Sequence, residues 1–278
     1  VAINVKPFSA PLGAEITGVD RSNLEVESEA LFQALLEHHV LLFRGGVMSD
    51  DDFVRLAEVF GPVRMARTRR AYATRPEVMI VSNIRENGET IGALPDGEVE
   101  WHYDGLHQKI PYALMMLHAV EVPRNGGETR FADMCLAYEA LSPQMKEQIA
   151  DLTAINSYGA PGYGTASATV KQITPDSPTA VHPVVREVPE TGRKAIFVCQ
   201  LMTDRIVGLS EDESRDMLAE LYRHLAQPEF AYEHSWQIGD VVLWDNRCVM
   251  HARNDFGPEE RRLLKRLTIA EVGVPSIR

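Results

Sequence analysis

Three cysteines in 278 residues, none of them in a Cys-x-x-Cys pair, are too few and too odd in number for a disulfide framework. Cys135, Cys199 and Cys248 are therefore expected as reduced, buried thiols of a cytoplasmic protein. Long apolar runs are missing as well. The opening Val-Ala-Ile-Asn-Val-Lys has no basic stretch followed by an apolar one, so neither a leader nor a membrane span is expected. Positive charge is scarce: 28 Lys and Arg against 40 Asp and Glu leave a net charge of -12. That balance argues against nucleic-acid or anionic-membrane partners, which need a basic surface. Any anionic ligand has to be gripped by local positive charge. Internal repeats, Pro/Ser-rich linkers and shifts of composition are absent too, so residues 1–278 read as one domain. A homo-oligomer is left open.

What is present is ordinary globular composition, 45% hydrophobic and 24% charged, enough for a sizeable core. Short strand signals run along the chain: Ala2–Val5, Gly13–Gly18, Val40–Phe43, Val78–Ser82, Tyr112–Ala119, Thr129–Ala132, Lys194–Cys199, Phe230–Trp236, Val241–Asp245 and Leu263–Glu271. Helical spacing appears from Ser28, with Leu31, Phe32, Leu35 and Leu36, and again after the N-cap Ser49, with Phe53, Leu56 and Phe60. Ser142-Pro143 opens another helix. Ser210-Glu-Asp-Glu213 is a capping box for one carrying Met217, Leu218, Leu221 and Leu225. Residues 85–97 read as a mobile polar loop, and residues 156–180 as a long loop of the kind that forms functional lids. The pattern is mainly β with flanking helices, which suits a double-sheet barrel with helices outside.

The chemistry centres on Glu98-Val-Glu-Trp-His-Tyr-Asp104. In an extended chain, side chains two apart face the same way, so His102 and Asp104 converge. None of the other eight histidines has Asp or Glu two residues on. A nitrogen and a carboxylate hold a divalent metal once a second imidazole joins them, and that 2-His-1-carboxylate set leaves positions open for oxygen chemistry. His251, at a strand end after Trp244-Asp-Asn-Arg-Cys-Val-Met, is a candidate, because barrel closure brings distant strands together. On the last strand, Arg262, Leu264, Arg266 and Thr268 share one face. The two arginines stand about 13 Å apart at roughly 3.3 Å per residue, far enough to hold two different anions. The one basic cluster, Arg64–Arg70, is either a solvated face or a loop near an anion site.

Trp101-His-x-Asp104, Gly126-Gly-Glu-Thr129 and Trp244-Asp-Asn-Arg247, with His251 and Arg262, resemble the taurine and 2,4-dichlorophenoxyacetate dioxygenase family over most of the chain. The resemblance implies a double-stranded β-helix (jelly-roll) core and an Fe(II)- and 2-oxoglutarate-dependent dioxygenase. It implies that His102, Asp104 and His251 hold the iron. Thr129 and Arg262 would then grip the 5-carboxylate of 2-oxoglutarate, and Arg266 would anchor an anionic substrate. Dioxygen is the other small-molecule partner, and the products include succinate and CO2. Asn83 and Tyr103 are further candidates for the substrate pocket. Taurine enzymes carry Asn where this chain has Glu98, and His and Tyr in the segment of the arginine cluster. An aryloxyalkanoate or other carboxylate therefore fits at least as well as a sulfonate. The competing reading is a jelly-roll protein that binds a metal or ligand without redox chemistry, and it has no use for the Thr129–Arg262 clamp. A halogenase would lack the carboxylate ligand that Asp104 supplies.

Overall fold

The computed structural model describes residues 3–20, 23–66, 73–94, 97–158 and 176–270. Most of the regular structure is β, with few helices, and two sheets carry the site. The larger has seven strands in the order Asn4–Pro7, Ala14–Thr17, Val40–Phe43, Val241–Asp245, Leu114–Glu121, Leu263–Ile269 and Met79–Ser82. The smaller runs Ala231–His234, Thr129–Asp133, Val249–Arg253 and Val99–His102.

Burial explains why so many strands read as unbroken apolar runs. One face of the larger sheet sends Val40, Leu42, Met115, Leu117, Val242, Trp244 and Leu264 into a core shared with Val99, Trp101 and Phe131 of the smaller sheet. The Phe131 and Trp244 rings meet there, 5.3 Å apart. The other face, with Leu41, Phe43, Met116, Leu243 and Leu267, packs beneath Leu31, Leu35, Phe53 and Leu56 of the two N-terminal helices. A sheet covered on both faces has no reason to alternate. Each fully buried Leu or Phe contributes roughly 1.5–3 kcal/mol.

Several helix signals hold. Ser49 accepts from the Asp52 amide at 3.1 Å and starts Asp50–Glu58. Ser142 caps Pro143–Ile149. Ser210 and Glu213 close a full capping box on Glu211–Leu225. Three details depart from the sequence reading. The first helix begins at Leu24 rather than Ser28, because the buried Glu27 carboxylate accepts from the Asp20 amide and anchors that first turn. Residues 85–97 include a hairpin, Arg85–Glu86 with Glu89–Thr90, turned by Asn87 (φ 51°) and Gly88 (φ 82°). Positive φ at both central positions is what an Asn-Gly hairpin turn requires. A six-residue helix, Met134–Glu139, is too short to show a period and is set by Asp133, whose side chain accepts from the Cys135 and Leu136 amides. The basic cluster beyond Ala66, most of the 156–180 loop, Ala2 and the end of the last strand at Glu271 lie outside the described residues.

Asp133 also joins the helical layer to the smaller sheet. His39, the left-handed C-cap of the first helix, holds Asp133 Oδ2 through Nδ1 at 3.0 Å, while Arg193 reaches its Nε2 at 3.4 Å. Cys135 and Cys248 lie beside this ring, all three donor atoms being within 4.8 Å of one another. His39 Nδ1 is taken by the Asp133 carboxylate, so the cluster reads as a buried junction between the helical layer and the smaller sheet.

Candidate active site

The Val99–His102 strand pairs with Val249–Arg253, and His102 stands directly opposite His251. Their rings lie 4.1 Å apart. Asp104 follows in a turn that Gly105 permits through its positive φ of 75°, with Tyr112 packed where a side chain would go. Asn246 fixes the peptide of Asp104. Its Oδ1 accepts from Asp104 N–H at 3.0 Å, and its Nδ2 donates to the carbonyls of Asp104 and Tyr112, both at 2.9 Å.

His102 Nε2 is 3.9 Å from one Asp104 oxygen, and His251 Nε2 is 3.8 Å from the other. Both spacings are too long for hydrogen bonds. They leave room for a divalent ion among three donor atoms that all lie within 4.8 Å of one another. The protonation states fit as well. His102 Nδ1 lies 2.7 Å from the Glu100 carbonyl, which places the proton on Nδ1 and leaves the Nε2 lone pair facing inward. Burial pushes His102 below the ordinary histidine range, and burial with His102 and Arg266 nearby pushes His251 well below it. Burial alone would raise Asp104, but Arg266, His251 and His102 outweigh it and hold the carboxylate ionised. Two neutral imidazoles and one carboxylate are the facial-triad donor set.

Arg262 lies on the same side of this pocket, 2% exposed, and its Nε has no hydrogen-bond partner. Among the described residues no carboxylate pairs with it. Burial, with Arg253 adding to it, pushes its guanidinium down to about 9. Such a group is waiting for an anion. Thr129 lines the pocket beside it, and its Oγ1 accepts from the Trp236 indole at 3.0 Å. With that lone pair occupied, the hydroxyl proton is left to donate into the pocket.

Two expected pocket residues do other work. Tyr103 points away from the metal donors, because neighbours in an extended chain alternate sides. It is fully buried against Phe197, with its hydroxyl donating to the Ile196 carbonyl. Asn83 does not line the pocket either. It fastens the approach to the last strand, accepting from the Arg262 amide at 2.9 Å and donating to the Glu260 carbonyl at 2.7 Å. Sequence reasoning missed Asn246, Trp236 and Arg253. Asn246 lay inside the Trp-Asp-Asn-Arg motif, and Arg253 sits two residues past His251, hence on its face. For Trp236 there was no local signal.

Arg266 separates this pocket from a larger space. Its Nη1 donates to Asp104 Oδ2 at 3.2 Å. Beyond it opens a chamber of about 560 Å³, whose walls include Arg64, Met65, Met79, Tyr112, Tyr158 and Thr268. The Arg64 guanidinium lies 5.2 Å over the Tyr112 ring. Glu77, also on the wall, accepts from Nε and Nη2 of Arg75 at 3.2 and 3.1 Å.

A two-histidine, one-carboxylate donor set between two β-sheets, beside a buried guanidinium, defines the class of the non-haem iron oxygenases. Within that class, the chain belongs to the taurine catabolism dioxygenase TauD, TfdA family, whose pattern matches residues 4–268. It is 33% identical to pentalenolactone F synthase of Streptomyces arenae, over 93% of this chain and 92% of that one. It is 34% identical to the alpha-ketoglutarate-dependent 2,4-dichlorophenoxyacetate dioxygenase of Cupriavidus pinatubonensis, over 86% of each. A crystal structure of a taurine dioxygenase from Burkholderia xenovorans superposes with a TM-score of 0.79 at 29% identity, covering 98% of this chain and 91% of that one. The protein is an Fe(II)- and 2-oxoglutarate-dependent dioxygenase. Among the described residues, no helix is long and apolar enough to cross a membrane.

Proposed function

We propose that His102, Asp104 and His251 hold the iron, that Arg262 and Thr129 seat the distal carboxylate of 2-oxoglutarate, and that Arg266 orients an anionic substrate for hydroxylation. The observation that carries this reading is the convergence of both imidazole Nε2 atoms on the two oxygens of one buried carboxylate, at 3.8 and 3.9 Å. Bound there, Fe(II) supplies the activation of dioxygen that couples decarboxylation of 2-oxoglutarate, to succinate and CO2, with oxidation of the substrate.

The chain's own residues do the rest. The Glu100 carbonyl keeps His102 in the tautomer a metal needs, and Asn246 holds Asp104 in place. Val81, Leu117 and Trp244 wall the pocket with apolar surface and exclude water from the reacting centre. Arg262 and the Thr129 hydroxyl offer a charged fork and one neutral donor to a carboxylate.

The substrate chamber favours an anion with a sizeable apolar body. Its volume of about 560 Å³ lies in the range that encloses drug-sized ligands. Methionine and tyrosine walls suit an aromatic or polycyclic body. Glu77 is already engaged by Arg75, so an ammonium group finds no free carboxylate among the described wall residues. An aryloxyalkanoate, another carboxylic acid or a sulfate ester therefore fits better than a small aminosulfonate. The relatives include enzymes named for 2,4-dichlorophenoxyacetate and for sulfate esters, which agrees with that preference.

In the same reading, the two sheets form a double-stranded β-helix core, and the chain is one domain. Its first and last described strands lie in the same seven-stranded sheet, which supports this. Three free, buried thiols fit a cytoplasmic setting. The test is anaerobic titration with Fe(II) and 2-oxoglutarate, followed by a screen for succinate release. A visible charge-transfer band and turnover stimulated by apolar acids are expected. Absence of the band would sink the assignment.

A further inference from the structure

His234 is a buried imidazole, tied at both nitrogens, that the roles above leave unused. It ends the Ala231–His234 strand, 1% exposed, directly opposite Thr129 on the neighbouring strand. Its Nε2 donates to Asp240 Oδ2 at 3.1 Å, since an ionised carboxylate can only accept. Its Nδ1 lies 2.9 Å from the Tyr232 hydroxyl, which can donate or accept as the ring requires.

Both partners are themselves held. The Tyr232 ring lies 4.7 Å from Phe8 and stacks on Phe131 at 6.4 Å. Asp240 is buried, and the oxygen that meets His234 also accepts from the Gln237 amide at 2.9 Å. Its backbone joins the larger sheet, where the Asp240 carbonyl accepts from the Ala119 amide at 2.8 Å. A ring tied at both nitrogens cannot turn about its Cβ–Cγ bond, so the plane of the imidazole is fixed.

Beyond the end of the strand, pairing no longer sets side-chain direction, and Trp236 is only half-buried. Its indole meets the His234 ring at 89°, with centroids 4.6 Å apart. An edge-to-face contact depends on the angle between the two planes, so a fixed imidazole fixes the indole. The indole N–H in turn donates to Thr129 Oγ1 at 3.0 Å. One line of contacts thus runs from Asp240 through His234 and Trp236 to Thr129.

We propose that His234 is a positioning residue for the co-substrate: it holds the Trp236 indole at the angle that directs the Thr129 proton toward the distal carboxylate of 2-oxoglutarate. This rests on the reading that Thr129 and Arg262 seat that carboxylate. Arg262 contributes charge, whereas a hydroxyl proton helps only when it is aimed, because hydrogen bonds weaken steeply with angle. The imidazole sets that aim without touching the ligand. A phenyl ring in its place would fill similar space and leave the plane set by packing alone.

The experiment uses the full chain with Fe(II) under anaerobic conditions and reads the charge-transfer band. Two probes are titrated: 2-oxoglutarate, and 2-oxovalerate, which lacks the distal carboxylate. His234→Phe should bind 2-oxoglutarate about fivefold more weakly, the effect of one neutral hydrogen bond, and 2-oxovalerate as the wild type does. In a Thr129→Val background the same substitution should change the binding of neither probe, because the donor that His234 aims is gone. Should His234→Phe fail to fold, Tyr232→Phe removes one tie and keeps the imidazole, and it should weaken 2-oxoglutarate alone by about twofold. Equal weakening of both probes, no weakening of 2-oxoglutarate, or an undiminished loss in the Thr129→Val background would each overturn the proposal. A wild type that gives no band, or that binds the two probes alike, would instead bring down the functional reading beneath it.

Discussion

The Arg266 guanidinium donates to Asp104 at 3.2 Å, so the proposed substrate anchor is hydrogen-bonded to the proposed metal ligand. The buried carboxylate and the partly buried guanidinium hold each other, and in the proposed reading a metal and an anion would take one each. On that reading, substrate binding and the charge state of the metal site would be linked through a single pair of atoms.

Arg266→Ala tests the substrate half of that link. A charge-assisted hydrogen bond contributes about 1.5–3 kcal/mol, so turnover of an anionic substrate should fall by roughly ten- to a hundredfold. The Fe(II)–2-oxoglutarate band and slow uncoupled succinate release should persist, since Arg262 is untouched. A neutral or cationic compound emerging as the best substrate would contradict the assignment.

Removing a metal donor should be more severe. His102→Ala, Asp104→Ala and His251→Ala each leave two donors of three, and each should abolish Fe(II)-dependent succinate production with the fold intact. Circular dichroism alongside the activity assay separates loss of metal from loss of structure. Full activity in any one variant would exclude that residue from the triad.

The His102–Asp104 pair was legible because its logic is local, whereas His251, far along the chain, came in through the family resemblance. Side chains two apart share a face, so His102 and Asp104 announced themselves, and the face of Arg262, Leu264, Arg266 and Thr268 on the last strand followed from the same rule. The same alternation should have warned that Tyr103, lying between two inward residues, points outward. Asn83 was misjudged because its work is on backbone two chain segments away, at Glu260 and Arg262. Trp236 and Arg253 act through contacts with Thr129 and with Leu94 and Gly97, and no spacing rule connects those positions. The fold class came from apolar runs, but the Asn87-Gly88 hairpin was passed over for want of apolar flanks. A six-residue helix has no period to read.

Trp236 yields a separate prediction about the co-substrate. Its indole occupies one lone pair of the Thr129 hydroxyl and so directs the hydroxyl proton into the pocket. Trp236→Phe should therefore act like Thr129→Val, raising the 2-oxoglutarate KM by a few-fold, as expected for one neutral hydrogen bond of about 0.5–1.5 kcal/mol. The double variant should be little worse than either single one, because both remove the same donor. Additive losses would mean that Trp236 acts by packing alone.

The last prediction concerns pH and the junction at His39. Burial lowers the pKa of this imidazole, but the hydrogen bond and charge of Asp133, with smaller help from Cys135 and Asp245, outweigh burial and leave it raised. Asp133 is lowered: burial opposes, and the hydrogen bond and charge of His39, the Leu136 amide and Arg193 prevail. A raised histidine contributes stability that is fully present below its unfolded value, about 6.5, and is lost as pH rises through the folded value. A lowered aspartate contributes above its unfolded value, about 3.9, and loses that contribution as pH falls through the folded one. The pair is therefore fully effective between those two unfolded values and weakens on either side. Urea unfolding of the wild type should show stability declining as pH rises from about 6.5 through the folded pKa of His39. In His39→Gln that part of the slope should flatten, and the protein should be about 1–3 kcal/mol less stable near pH 6 because Asp133 loses a charged partner while buried. An alkaline slope identical in the two proteins would show that His39 is neutral throughout, and that the junction is held by hydrogen bonding without a charge.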